Sequence, residues 1–172
     1  MTATDSSKKH KHYILLMNKL INDIHLKAII NKARVARLAT VDSEGKPHLV
    51  PVVFAYDGEH YYIPIDKKTK QEPSKPEKLK RVKNIQANPN IALLIDEYNE
   101  DWTKLHFVMV QGRASLIGNK KGEQENELLL LEKAHKLLSE KYHHYQKIGI
   151  GEYVIMIYPQ KIITWKNEGF ND

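Results

Sequence analysis

Positively charged side chains crowd into one short stretch of this chain, residues 66–83. Eight lysines and arginines stand there against three acidic residues, so eight minus three gives a charge of +5, whereas the whole chain carries +6. Such a cluster could hold a phosphate, because a guanidinium binds it through two parallel hydrogen bonds and an ammonium acts as a mobile point charge. We call residues 66–83 the basic segment; its cations are Lys67, Lys68, Lys70, Lys75, Lys78, Lys80, Arg81 and Lys83.

The residues alone leave two interpretations of the basic segment open. Runs of charge are usually solvated loops, and a solvated loop needs no ligand. Against this, helical spacing puts Leu79, Val82 and Ile85 on one apolar face, which would place Arg81 between the protein body and solvent. Arg81 and Lys83 are therefore candidates for phosphate binding.

Other residues that could do chemistry fit structural roles better. The pairs His10/His12 and His143/His144 have no evident third ligand, so we expect solvated histidines and no metal site. The motifs of zinc proteases, serine hydrolases, P-loop proteins and dinucleotide-binding folds are absent from the sequence. No side chain stands out as an acid, base or nucleophile, and we name no catalytic residue.

Composition limits the classes of function. An apolar share of 41% and a charged share of 28% are typical of a soluble globular domain. No apolar run approaches the roughly 20 residues of a membrane span, and the N-terminus lacks the apolar core of a signal peptide. The chain has no cysteine, which fits a cytoplasmic protein. A pI near 9.3 suggests nucleic acid as a partner, but outside the basic segment and residues 8–11 the charge is nearly balanced, so nucleic-acid binding is the least favoured alternative.

Along the chain, strand-like and helix-like patterns alternate, and the elements that they predict must position the basic segment. Residues 1–12 predict a disordered tail, and residues 13–172 predict a single domain that opens with an amphipathic helix. Asp57-Gly58 is typical of a hairpin turn, and Gly112 predicts a bulge within a long strand. The predicted helices are residues 13–32, 77–88 and 122–142, and the predicted strands are 35–41, 48–56, 59–65, 91–95, 105–117 and 153–165. This order predicts an antiparallel α+β barrel or sheet and not a Rossmann fold.

Several segments carry a family pattern: Arg34–Asp42, Gly45, Pro47–Phe54, Leu79–Pro89, Asp96–Trp102, Gly112–Ala114 and Trp165. They resemble the split-barrel flavin-binding family, also called pyridoxamine 5′-phosphate oxidase-like, over roughly residues 30–165. Within that family the chain most resembles the branch of oxidoreductases that depend on the deazaflavin coenzyme F420.

The resemblance implies a six-stranded antiparallel split β-barrel with flanking helices, of the FMN-binding type. It implies a homodimer with two cofactors, F420 or FMN, between the subunits, and hydride transfer to or from a small organic substrate. It also implies the residues that bind the cofactor. Val50, Pro51 and Val52 would lie along the ring, Arg81, Lys67 and Lys83 would hold the phosphate, and Trp102 and Gln111 would approach the ring, often from the partner subunit.

The chain departs from the founding members of this family. Pyridoxamine-phosphate oxidases carry a lysine for the flavin phosphate where this chain has Phe54 or Ala55, and the arginine and histidine that bind the substrate phosphate are missing after Trp165. Oxidation of vitamin B6 is therefore not expected, and the long loop after Lys67 suits a cofactor with a longer anionic tail. Two alternatives remain: a non-catalytic flavin- or haem-binding module, and a nucleic-acid binder that acts through the basic segment.

Overall fold

A computed structural model describes residues 24–66, 76–118 and 125–167 of the chain, and every structural statement below concerns these residues. The predicted tail, most of the first predicted helix and Lys67 lie outside them. The described helices are α1 (Ile24–Lys32), α2 (Lys80–Ala87), α3 (Glu125–Lys141) and α4 (His143–Ile148). The strands are β1 (Ala36–Val41), β2 (Pro47–Val52), β3 (Ala55–Tyr56), β4 (Tyr61–Pro64), β5 (Asn90–Glu97), β6 (His106–Gly118) and β7 (Tyr153–Lys166). Short 3-10 turns cover Pro76–Lys78 and Trp102–Lys104.

The strands form one antiparallel sheet in the order β2-β1-β5-β6-β7-β4-β3. Its two end strands, β2 and β3, are separated in the chain only by Val53 and Phe54. The sheet must therefore curl until its ends meet in one bent strand, which pairs with β1 before the bend and with β4 after it. This confirms the α+β split-barrel class, and the predicted strand 48–56 is the one that divides into β2 and β3.

At the bend, the backbone groups of Phe54 have no partner in a neighbouring strand. A tyrosine hydroxyl forms hydrogen bonds with them instead. The Phe54 N–H donates to the hydroxyl oxygen of Tyr142 at 3.1 Å. The same hydroxyl lies 2.9 Å from the carbonyl oxygen of Phe54 and 2.8 Å from that of Arg34, and donates its proton to one of them at a time. Arg34 lies over the Tyr142 ring, and Lys141 lies over the Phe54 ring. Tyr142 thus links the end of α3 to the point where the strand changes partner.

Alternating burial along the strands places the main core inside the curl. Leu38, Leu93 and Val110 are paired across β1, β5 and β6, and all three are fully buried. Leu26 and Ile30 of α1 belong to the same cluster. A second cluster lies under α3, where Leu131, Ala134 and Leu138 pack with Val154 and Met156. Burial of each large side chain contributes roughly 1.5–3 kcal/mol, so these two clusters hold the barrel and its helices together.

A bulge in the β6–β7 ribbon accommodates a proline inside a long strand. Gln111 pairs with Lys161, but Gly112 pairs with Pro159, so Gln160 is the extra residue. A Cβ atom at Gly112 would lie 2.2 Å from the carbonyl oxygen of Tyr158, which explains why only glycine fits there. The predicted bulge at Gly112 is confirmed, and β7 runs unbroken past Pro159.

The β3–β4 hairpin turn is longer than a two-residue Asp-Gly turn and is held by one buried carboxylate. The Asp57 side chain is 1% exposed and accepts hydrogen bonds from the N–H groups of Glu59 (2.8 Å) and His60 (2.6 Å). It also accepts from the hydroxyl of Tyr62 (2.9 Å) and from Nζ of Lys133 on α3 (2.5 Å). Burial raises the pKa of Asp57, but these donors outweigh burial and lower the pKa to about 2.

Helix α4 was not predicted from the sequence. The exposed His143 and His144 form its first turn. None of the helices in the three described ranges is long and apolar enough to span a bilayer.

Candidate functional site at the split of the barrel

The barrel opens along β2, on the side where β4 would pair with β2 if the pairing of β3 with β4 continued. β3 pairs with β4 at Ala55 and Tyr62, and β4 continues to Pro64, yet within the described residues β2 pairs only with β1. One edge of β2 therefore has no strand partner among the described residues. β4 runs on into Asp66 and the basic segment, so this edge of β2 and the start of the basic segment border the same opening, which we call the split.

Two contacts fix α2 beside the hairpin that carries β2. Nζ of Lys80 lies 2.8 Å from a carboxylate oxygen of Asp42, at the end of β1. The Lys80 ammonium, with the N–H groups of Lys46 and Glu44, lowers the pKa of Asp42 to about 2. The Asn84 amide donates to the buried hydroxyl of Thr40 at 3.0 Å. The first turn of α2 is thus held at the turn end of the β1–β2 hairpin.

Arg81 lies in this first turn and is only partly exposed. Its Nε is buried and has no hydrogen-bond partner among the described residues. Burial lowers the pKa of the guanidinium, and the nearby carboxylate of Asp66 opposes this effect. The first turn contains no acidic residue, and no side chain caps the helix at Leu79. An unpaired buried donor costs about 1–3 kcal/mol, so an anion bound here would relieve that cost and be held by the helix end as well. These residues fit a phosphate group.

The predicted ring-contact residues divide between the two faces of the sheet. Val52 is buried and Val50 partly buried on the core face, because they pair with Ala36 and Leu38 of β1. Pro51 is exposed on the outer face. Gln111 is also exposed on the outer face, one strand beyond β5.

Trp102 and the remaining phosphate candidates take different positions. Lys83 is exposed on α2, and Lys67 lies outside the described residues. Trp102 is 56% exposed in a 3-10 turn that follows the far end of β5. β5 starts just after α2 and has eight residues, so it is roughly 24 Å long at the usual rise per residue, and Trp102 follows its other end. One chain therefore brings Arg81 to the split but does not bring Trp102 there.

The outer face of the sheet carries an apolar strip that sequence patterns did not single out. Leu94, Met109 and Ile163 are paired neighbours on this face and are partly exposed. Phe107 stacks on Trp165 with ring centroids 6.0 Å apart, and Trp165 is 47% exposed. Apolar residues this contiguous are typical of a surface that contacts another molecule.

Sequence reasoning also missed two tyrosines beside the site. Tyr142 satisfies the backbone at the bend, and the hydroxyl of Tyr145 donates to the carboxylate of Asp66 at 2.6 Å. Both contacts join residues about 80 positions or more apart in the chain, and no local pattern signals them. Across the described ranges, no group of three His, Asp or Glu side chains is arranged to bind a metal ion.

A family model described as pyridoxamine 5′-phosphate oxidase matches residues 23–166, a range that includes β1 to β7 and the split. The chain belongs to the pyridoxamine 5′-phosphate oxidase family. No curated protein sequence matches it.

Solved structures similar to this member of the pyridoxamine 5′-phosphate oxidase family have the same fold. HutZ, the heme storage protein from Vibrio cholerae, is 15% identical, with 84% of this chain and 93% of HutZ covered and a TM-score of 0.59. A FAD-binding protein from Mesorhizobium loti is 20% identical, with 83% and 93% covered and a TM-score of 0.57. HupZ from Group A Streptococcus is 18% identical, with 83% and 93% covered and a TM-score of 0.56. At these identities the likeness establishes the split-barrel fold.

Proposed function

We propose that this protein is an oxidoreductase that binds FMN or the deazaflavin F420 in the split and transfers hydride to or from a small organic substrate. The observation that carries the proposal is Arg81. Its partly buried guanidinium has an unpaired Nε, lies in an uncapped helix turn beside the split, and belongs to a chain of the pyridoxamine 5′-phosphate oxidase family. The structurally similar FAD-binding protein from Mesorhizobium loti supports a flavin as the ligand of this fold.

In this proposal the cofactor supplies the two-electron chemistry, and the protein binds and orients it. Arg81 would hold the phosphate, supported by Lys83 and Lys67, while Val50, Pro51 and Val52 would lie along the ring. Phe54 is buried and its backbone is engaged by Tyr142, so this position of the strand carries no charged side chain for the phosphate, and the nearby Lys141 lies over the Phe54 ring. Anchoring therefore depends on Arg81 and the basic segment.

We further propose that the protein acts as a homodimer in the cytoplasm. The apolar strip of Leu94, Met109 and Ile163, with Phe107 and Trp165, is a surface that a second copy could cover. Trp102 follows the end of β5 that lies away from α2, so in this proposal it does not serve the same site as Arg81 within one chain. A partner subunit could bring its copies of Trp102 and Gln111 to the ring.

The first experiment compares two ligands that share a ring and differ in the phosphate. We expect Arg81→Gln to weaken binding of FMN by about 10- to 100-fold, because a charge-assisted hydrogen bond contributes about 1.5–3 kcal/mol. Riboflavin, which lacks the phosphate, should bind the variant as it binds the native protein. Titration followed by flavin fluorescence measures both affinities.

Lys136→Gln is the matched control, since it removes the same charge from an exposed position on α3. Equal FMN affinity in Arg81→Gln and Lys136→Gln would exclude Arg81 as the phosphate anchor. If the native protein binds neither FMN nor F420, the proposal fails as a whole.

The second candidate function is a binding module for haem without turnover. The observation that favours it is the similarity to HutZ, a heme storage protein with the same fold. Absorbance of the purified protein separates the two: a Soret band supports haem, and the paired bands of an oxidised flavin or the single band of a deazaflavin support the oxidoreductase. Reduction of the bound flavin by a nicotinamide or reduced deazaflavin donor then separates turnover from storage.

A further inference from the structure

Two cations share one aromatic ring at the bend of the barrel. The guanidinium carbon of Arg34 lies 4.3 Å from the centre of the Tyr142 ring, and Nζ of Lys141 lies 5.8 Å from the same centre. In the described part of the chain, no carboxylate lies within salt-bridge distance of either cation. The site therefore has an unbalanced positive charge, which attracts anions.

The amine of Lys141 has few polar contacts. Its Nζ donates to the carbonyl oxygen of Ile30 at 3.3 Å, which is longer than a usual N–H···O hydrogen bond. The same nitrogen lies 4.0 Å from the centre of the Phe54 ring, and the residue is only partly exposed. Aromatic faces attract an ammonium, but they do not form the hydrogen bonds that it has in water. Its hydration is therefore only partly replaced.

These surroundings favour the neutral amine. Burial, and after it the positive charge of Arg34, lower the pKa of Lys141 from 10.5 to about 8. The groups that face the amine from α1 and from the bend, the Ile30 carbonyl and the Phe54 ring, carry no net charge. Tyr142 stays protonated because burial raises its pKa.

A lysine with a lowered pKa is a nucleophile near neutral pH. At about pH 7.5, an amine with a pKa of about 8 is neutral in about a quarter of the molecules, whereas an ordinary lysine is neutral in roughly one in a thousand. The neutral amine has a lone pair with which it can attack an electrophilic carbon. Partial exposure leaves Lys141 open to a small reagent.

We propose that Lys141 is a site of covalent acylation by a small anionic acyl donor, an acyl phosphate. The phosphate of the donor would bind to Arg34, which is exposed and also donates to the carbonyl oxygen of Lys141. A guanidinium binds phosphate oxygens through its fork of N–H groups. Arg34 would thereby hold the donor beside the amine.

The reaction needs no oxidant or reductant. The neutral Nζ of Lys141 attacks the acyl carbon, a C–N bond forms, and the bond from this carbon to the phosphate oxygen breaks. Phosphate leaves with the electron pair of that bond, and the proton of the amine passes to water. The product is an uncharged amide beside the Phe54 ring, so acylation also removes the repulsion between Lys141 and Arg34.

The first experiment uses the native protein and acetyl phosphate as the probe. Peptide mass spectrometry measures the initial rates of acetylation at Lys141 and at Lys136, an exposed lysine on the same helix. At about pH 7.5 we expect Lys141 to react at least roughly tenfold faster, because far more of its amine is neutral than in an ordinary lysine. The rate at Lys141 should level off above about pH 8. If Lys141 reacts no faster than Lys136, the inference is overturned.

The second experiment tests the recruitment of an anion. The N-hydroxysuccinimide ester of acetic acid transfers the same acyl group but has no charge. We expect the ratio of the Lys141 rate to the Lys136 rate to be at least roughly threefold higher with acetyl phosphate than with the ester, because Arg34 adds a charge-assisted contact. Inorganic phosphate should remove this excess by competition. Equal ratios for the two donors, or no effect of phosphate, would exclude an anionic donor and overturn the proposal.

Arg34→Gln connects this excess to one residue. In this variant the two donors should give the same ratio, and a change in the pKa of Lys141 cancels because both donors meet the same amine. Arg113→Gln is the matched control, since it removes the same charge from an exposed position on β6. An excess that persists in Arg34→Gln would exclude Arg34 as the anion-binding residue.

Discussion

At the scale of single residues, the barrel depends on one hydroxyl at its bend. Tyr142 is buried, and its hydroxyl serves the N–H and carbonyl of Phe54 and the carbonyl of Arg34. These groups lie where the strand changes partner, and no ladder bond reaches them. Loss of the hydroxyl would leave buried backbone groups unsatisfied.

Tyr142→Phe removes this oxygen and keeps the ring. We expect it to lower the free energy of unfolding by about 1–3 kcal/mol, the cost of unpaired buried polar groups. Urea unfolding followed by circular dichroism measures the loss. Tyr98→Phe, at an exposed tyrosine, is the control and should change little. A Tyr142→Phe protein as stable as the Tyr98→Phe protein would show that water replaces the hydroxyl.

Residues of the split differ in how far the sequence predicts them. The partly exposed position of Arg81 is predictable because its two signals, a local excess of charge and the apolar spacing of Val82 and Ile85, lie within a few positions. The role of Tyr142 is not predictable, because its partners lie 88 and 108 positions away.

At the scale of elements, Asp57 clamps the β3–β4 hairpin to α3. Its folded-state pKa of about 2 lies below the ordinary value of 3.8, so its contribution to stability is fully present above about pH 4. That contribution is lost as the pH falls from about 4 to 2, when the carboxylate takes up a proton in the folded state.

Asp57→Asn should therefore destabilise the protein at neutral pH by about 2 kcal/mol, the equivalent of the pKa shift. The difference between native protein and variant should disappear as the pH approaches 2. Chemical unfolding at a series of pH values tests both points. Glu59→Gln is the control, because it removes a carboxylate from the same turn at an exposed position. A difference between native protein and Asp57→Asn that does not vary with pH would exclude the ionised carboxylate as the clamp.

The elements themselves were largely predictable, and the exceptions have physical reasons. Asp57-Gly58 correctly indicated a turn, and the Gly112 bulge was correctly placed. The break between β2 and β3 was not predicted, because residues on both sides are apolar and the strand pattern continues through Val53 and Phe54. The break reflects a change of partner strand, and local spacing does not record that change.

At the scale of the whole molecule, the split and the outer apolar strip lie on one barrel, and the proposed dimer would use the strip. Met109→Lys places a charge in the middle of the strip, and we expect it to shift a dimer to monomer in analytical ultracentrifugation. Burial of an unpaired ammonium at an interface costs far more than the contacts there contribute.

Ala28→Lys adds the same charge at an exposed position of α1 and should leave the dimer intact. If Met109→Lys sediments as a dimer, the strip is not the interface. If it is a monomer that also binds FMN less tightly, a partner subunit completes the site, as proposed.

The Tyr142 bridge also has a consequence for the order of folding. A contact between residues 88 to 108 positions apart closes a long loop, and contacts of this kind form late because their entropy cost comes first. We therefore expect the strand ring to be completed only after α3 has docked. We also expect the last region to close to be among the first to open in local unfolding, which would make the bend beside the split one of the less stable parts of the barrel. A ligand bound in the split would thus stabilise the segment that folds last, and through it the whole chain.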